Sequence, residues 1–150
     1  MTSRRRYAAG IVHAQSFIIF GGYEPGSGLG LSSTEIVTEE GQVSQGPDMP
    51  TKLYMHAIAV LNGSTSIITG GCDHSVGCEL PITWYFNHVS QQFQAGPSLI
   101  TGRRRHASGT IVDQETNENI VVVAGGYSNF LDSTELLISG EWKQGKNHAK

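Results

Sequence analysis

Charge is scarce in this sequence. Lysine and arginine number 10 and aspartate and glutamate 13, together 15% of 150 residues, against about 25% in an ordinary soluble domain. The formal net charge is only −3, so the chain lacks the high charge that keeps polypeptides disordered. Long apolar runs are missing too. Nothing approaches the roughly 18 apolar residues a membrane helix needs, and no membrane contact is expected. The stretch from Met1 through Arg6 leads into Tyr7-Ala-Ala-Gly-Ile-Val12 and then His13 and Gln15, which is no signal-peptide core. Two cysteines cannot build a disulfide framework. No segment carries a helical 3.6-residue pattern. The compartment stays open: the visible residues lean to the cytoplasm, and an extracellular setting is the alternative.

Glycine, by contrast, is abundant, at 19 of 150 residues, nearly twice the usual share of about 7%. Hydrophobic residues at 38% suffice for a core. Such a composition favours short strands and many turns. Self-comparison then exposes a threefold repeat. A double glycine follows a short apolar run in Phe17-Ile-Ile-Phe-Gly21-Gly22, in Ser66-Ile-Ile-Thr-Gly70-Gly71 and in Val121-Val-Val-Ala-Gly125-Gly126. Gly21 to Gly70 is 49 residues and Gly70 to Gly125 is 55. Other landmarks keep phase: Ser33-Thr34-Glu35 with Ser133-Thr134-Glu135, Gly46-Pro47-Asp48-Met49 with Gly96-Pro97-Ser98-Leu99, and Arg4-Arg5-Arg6-Tyr7 with Arg103-Arg104-Arg105-His106. The units are 1–48, 49–98 and 99–150.

Each unit reads as four short strands. In the second, Met55 to Leu61 is apolar and partly alternating, and Asn62-Gly63 marks a tight hairpin. Thr65 to Thr69 follows, rich in β-branched residues. After a loop with Cys72 and Cys78 come Ile82 to Asn87 and Gln92 to Ala95. The third unit lengthens its first hairpin with the polar Asp113 to Asn119, an insertion whose entropic cost grows slowly with length. The fold class is all-β: three four-stranded antiparallel sheets.

These residues resemble the kelch motif: an apolar strand ending in a double glycine, a variable loop, a third strand, then an aromatic followed by Gly-Pro-x-Met and an arginine. Trp142 fits the aromatic position in the third unit, Phe93 in the second, and Val43 stands there in the first. The tyrosine or tryptophan usual near the third strand is present as Trp84-Tyr85 in the second unit only. The resemblance covers nearly the whole chain and implies blades of a β-propeller, with Gly21, Gly22, Gly70, Gly71, Gly125, Gly126 and Trp142 as structural motif residues. Propellers close with about 4 to 8 blades, and three are present. Met1 stands at the blade-boundary position of Met49 and Leu99, and Gly145 to Lys150 stops where Gly-Pro and another blade would follow. A piece of a longer propeller is the expectation, with association of two copies into six blades as the alternative.

In kelch adaptors an arginine of this kind and the residues after the double glycine face a protein partner. By position this implies Arg6, Arg105, Tyr23 and Tyr127, side chains that suit an interface. The bland alternative is that they fix loops. Nucleic acid is not expected, because both arginine triplets are repeat equivalents in a slightly acidic chain. Cys72-Asp-His74-Ser-Val-Gly-Cys78 lacks a second pair at zinc-finger spacing; no metal is expected, and either a disulfide or free thiols fits. Asn62-Gly63-Ser64 is a glycosylation sequon, but the hairpin already explains it. Gly26, Gly28 and Gly30 mimic a phosphate loop without the required helix, and read as a flexible linker. His106 reads as a packed aromatic-like residue. Glu35 and Glu135 recur in phase, which argues for structure, such as an ion pair to a neighbouring blade. No catalytic set and no cofactor is expected. The rival reading is a piece of a propeller enzyme such as a kelch-type copper oxidase, which needs a convergent His, Tyr or Cys cluster.

Overall fold

The computed structural model describes residues 2–146, and every regular element among them is a β-strand. The first unit contributes β1 (Ala9–His13) and β2 (Ser16–Phe20), then a small hairpin of β3 (Tyr23–Glu24) and β4 (Leu29–Gly30), then β5 (Thr34–Thr38) and β6 (Val43–Gln45). The second contributes β7 (Ala57–Asn62), β8 (Thr65–Thr69), β9 (Thr83–Asn87) and β10 (Gln92–Ala95). The third contributes β11 (Ala107–Val112), β12 (Asn119–Ala124), β13 (Thr134–Ile138) and β14 (Glu141–Gln144). Apart from the β3–β4 hairpin they form three four-stranded antiparallel sheets, each pairing its strands in chain order. The Gly26–Gly30 segment is thus an ordered hairpin and not a flexible linker. Gly30 pairs with Tyr23, and a Cβ there would press on the Lys52 carbonyl at 2.8 Å.

The sheets stack face to face, and alternation along each strand divides their side chains between two cores. In β8, Ile68 joins Ile18, Phe20, Leu53 and Phe86 between the first and second sheets, while Ile67 joins Ala59, Val121, Val123 and Leu137 between the second and third. Both isoleucines are essentially fully buried, and burial of each such side chain stabilises by about 1.5–3 kcal/mol. Trp142 seals the second core and donates its indole N–H to the Pro97 carbonyl at 2.9 Å. Phe93 packs at the same strand position against the first core, and Val43 stands there in the first sheet.

The double glycines lie at the joints between units. In the first two pairs both glycines have positive φ, and the second donates its N–H to the segment entering the next sheet: Gly22 to the Leu53 carbonyl and Gly71 to the Arg103 carbonyl, each at 2.8 Å. A side chain at Gly21 or Gly70 would collide with those same carbonyls. Glycine is required there by positive φ and by close approach together.

These joints also fix the repeat register, and they correct the arginine alignment. Arg5, not Arg4, is the counterpart of Arg103. Both donate from Nη1 to the carbonyl of the first glycine of their own unit, Gly21 at 2.8 Å and Gly125 at 2.9 Å. Both pair with the recurring glutamate, Arg5 with Glu35 at 2.7 Å and Arg103 with Glu135 at 2.6 Å. It follows that Arg6 matches Arg104, Tyr7 matches Arg105, and His106 matches Ala8. The glutamates pair with the segment entering their own sheet, not with a neighbouring sheet. Met1 and residues 147–150, where the unit-boundary and chain-end expectations fall, lie outside the described residues.

Candidate functional site

The segment entering each sheet runs beside the loop leaving its second strand, as an isolated antiparallel bridge. Arg6 bridges Tyr23, Tyr54 bridges Cys72, and Arg104 bridges Tyr127. This bridge brings positions distant in sequence to one edge of the stacked sheets. The Arg6 guanidinium lies 4.7 Å from the Tyr23 ring centre and 5.2 Å from that of Tyr7. Arg104 sits over Tyr127 at 4.6 Å, and Arg105 over Tyr7 at 5.6 Å. Tyr23, Tyr54 and His74 touch one another, with ring centres 5.5–5.9 Å apart. Phe130, 84% exposed, packs edge-on against Tyr127 at 5.2 Å.

The four expected residues therefore share an edge but not one cluster. Arg6, Tyr23 and Arg105 are joined through Tyr7, while Tyr127 belongs to Arg104. Arg104 is committed elsewhere as well, pairing with Glu79 at 2.7 Å. Arg6 and Arg105 are exposed, and neither forms an ion pair among the described residues. Their positive charge is held over aromatic faces and left available to solvent, an arrangement worth about 0.5–1 kcal/mol per contact.

Backbone geometry supports this surface from below. Tyr7, Met55 and Arg105 all adopt left-handed φ, at 58°, 58° and 54°. Such a conformation is uncommon for non-glycine residues; it is also found in turns of this chain such as Ala14 and Ser139, and what sets these three apart is their shared position. The three are counterparts in successive units, linked hand to hand: the Met55 N–H donates to the Tyr7 carbonyl at 2.9 Å and the Arg105 N–H to the Met55 carbonyl at 2.8 Å. Arg105 also donates from Nε to the Met55 sulfur at 3.3 Å. Sequence reasoning missed Tyr7, Tyr54, His74 and Arg104. A signal for the register was present: Met1, Met49 and Leu99 stand four residues before Arg5, Leu53 and Arg103.

Cys72 and Cys78 are bonded to each other, closing the loop that carries His74. Of the two alternatives, the structure carries the bonded pair. Within the loop, Asp73 and Gly77 exchange backbone hydrogen bonds at 2.8 and 2.7 Å. Burial disfavours the Asp73 carboxylate, but hydrogen bonds from Ser75 outweigh it and hold Asp73 below the usual range.

His56, His88 and His106 are buried. His106 is buried, and its Nε2 meets Thr69 Oγ1 at 2.7 Å. Burial, aided by the Arg103 charge, pushes it down to about 4; burial pushes His56 down to about 4 as well. Both are neutral and enclosed. His88 lies against His13 with ring centres 4.1 Å apart and planes tilted by 55°, and burial followed by the His13 charge lowers it. Among the described residues no three His, Cys, Asp or Glu side chains converge to hold a metal ion. No helix among them is long and apolar enough to cross a membrane.

No protein-family model matches the chain, and no curated protein matches it.

Proposed function

We propose that this chain is a kelch-repeat interaction module whose edge surface, centred on Arg6, Tyr7, Tyr23 and Arg105, binds a protein partner without catalysis. The observation that carries the reading is the pair of exposed guanidiniums that have no carboxylate partner among the described residues and lie over tyrosine rings, with Tyr7 and Arg105 in left-handed conformation. Arginine and tyrosine are the residues that dominate interface energetics when they become buried. Short strands supply the rigid base and the bridging loops supply the contact side chains. The closed Cys72–Cys78 loop suits a protein working in an oxidising compartment.

The test is panning of a displayed linear-peptide library on the purified chain, followed by affinity measurement for the selected peptides. Tyr7→Ala and Arg105→Ala are expected to weaken binding at least tenfold, with unfolding unchanged. Tyr127→Ala, at the far end of the surface, should weaken it less. Peptides that bind all three variants as tightly as the parent chain would overturn the assignment.

A further inference from the structure

The tip of the β7–β8 hairpin does not use the feature that makes Asn-Gly a hairpin signal. That pair is favoured because both residues tolerate positive φ, yet neither Asn62 nor Gly63 adopts it. A Cβ at Gly63 would meet nothing within 4 Å, so the turn has no need of glycine there either. What the turn does use is one atom of Asn62. Its Oδ1 accepts from the Ser64 N–H at 3.0 Å and from the Ser64 hydroxyl at 3.1 Å, a local side-chain turn that aspartate makes as readily as asparagine. The third unit does so: in its first hairpin Asp113 Oδ1 accepts from the N–H groups of Glu115 and Thr116 at 2.8 and 2.9 Å. The amide nitrogen of Asn62 is left over. Nδ2 makes no hydrogen bond to the described residues, and the residue is exposed.

Three independent observations give that nitrogen a use. Of the six asparagines in the chain, Asn62 alone begins an Asn-x-Ser/Thr sequence, the acceptor pattern for N-linked sugars. The Cys72–Cys78 bond belongs to an oxidising compartment, the setting in which such acceptors are modified. Space is available as well. Asn62 stands on the rim of an open cleft of about 400 Å³ whose wall carries Thr65, Asn87, Ser90 and Gln92, hydroxyls and amides that pair with carbohydrate. The hairpin belongs to the middle unit, and both sheets that flank it are described.

We propose that Asn62 is an N-glycosylation site. Its Nδ2 forms a bond to the anomeric carbon of an oligosaccharide carried on a lipid diphosphate. The anomeric C–O bond breaks, the lipid diphosphate leaves with the electron pair, and one amide proton passes to a base of the transferase. Oδ1 keeps its bonds to Ser64, so the folded turn carries the sugar without rearrangement. The six residues of β7, at about 3.3 Å each, separate Asn62 from the joint at Met55. A glycan at Asn62 therefore leaves the surface of Arg6, Tyr7 and Arg105 open.

The test uses the protein captured from its natural source with an antibody raised against this chain. Peptide N-glycosidase in heavy-oxygen water should raise its gel mobility and convert Asn62 to an aspartate bearing the heavy oxygen. Spontaneous deamidation before treatment leaves ordinary oxygen instead. Asn62→Asp and Ser64→Ala, produced in the same host, should each lose the mobility shift. The first of these keeps the turn, because its carboxylate still accepts from Ser64. An unmodified Asn62 in the natural protein, an aspartate with ordinary oxygen only, or a shift that survives in Asn62→Asp would each overturn the proposal.

Discussion

The outer units and the middle unit fill the same buried position with opposite chemistry. In the first and third units an arginine from the entering segment pairs with a glutamate of the third strand, with both side chains essentially inaccessible to water. In the second, Leu53 and Trp84 stand at those two positions, and both belong to the first core. The neighbouring residues change with them. Thr2 and Ser3 donate N–H groups to Glu35, and Ile100 and Thr101 donate theirs to Glu135. The counterpart of Thr2 and Ile100 in the middle unit is Pro50, which has no N–H to satisfy. The counterpart of Ser3 and Thr101 is Thr51, whose hydroxyl accepts from the Trp84 indole at 3.2 Å. The ion pair is therefore one of two solutions, each with its own hydrogen-bond accounting, and it is fuller in the third unit, because Arg5 Nε and Glu35 Oε2 are buried without a partner among the described residues. Burial alone would raise the Glu35 carboxyl; the Thr2 hydrogen bonds and the Arg5 charge outweigh it and hold Glu35 ionised.

The largest effect should come from mixing the two solutions. Replacing Arg103 with leucine alone strands Glu135 as a buried charge and should cost about 3–5 kcal/mol. Transplanting the middle unit's set, Ile100→Pro with Arg103→Leu and Glu135→Trp, should recover most of that loss, because a well-packed apolar pair is often neutral against an ion pair. Denaturant midpoints of the single and triple variants measure both. A triple variant as unstable as the single one would mean that the units are not interchangeable.

Acid should come next. The middle and third units bury His56 and His106 where the first has Ala8. Both histidines sit near 4 in the folded chain against the ordinary 6.5. The unfolded chain thus binds more protons between those values, and stability must fall as pH drops from 6.5 toward 4. Each histidine contributes up to about 3 kcal/mol to that fall. Unfolding free energy measured at pH 7, 5.5 and 4.5 checks the sign, and a flat profile would show that the rings are not enclosed.

Opening the Cys72–Cys78 bond should be milder, about 2 kcal/mol for so short a loop. The Asp73–Gly77 backbone bonds remain to hold the turn. The first unit builds its corresponding loop as the β3–β4 hairpin without a covalent link. Thermal unfolding with and without reductant measures the difference.

Strands and hairpins were legible in the sequence because alternation, Asn62-Gly63 and the recurring double glycines are local signals. The site was only half legible. Three arginines in a row permit two alignments, and the one chosen by likeness put Arg105 opposite Arg6. The left-handed backbone at Tyr7, Met55 and Arg105 could not be read, since none of these residue types marks such a turn. The Leu53–Trp84 replacement was equally hidden, because it shares no chemistry with the pair it replaces. Position in the unit, not residue type, carries that relation.

The central claim is that each arginine triplet is divided between a buried brace and an exposed contact. Unfolding of Arg103→Ala beside Arg105→Ala tests it most directly. The account predicts a loss of about 3–5 kcal/mol for Arg103→Ala and a change within about 0.5 kcal/mol for Arg105→Ala. Equal losses for both, or a harmless Arg103→Ala, would contradict it.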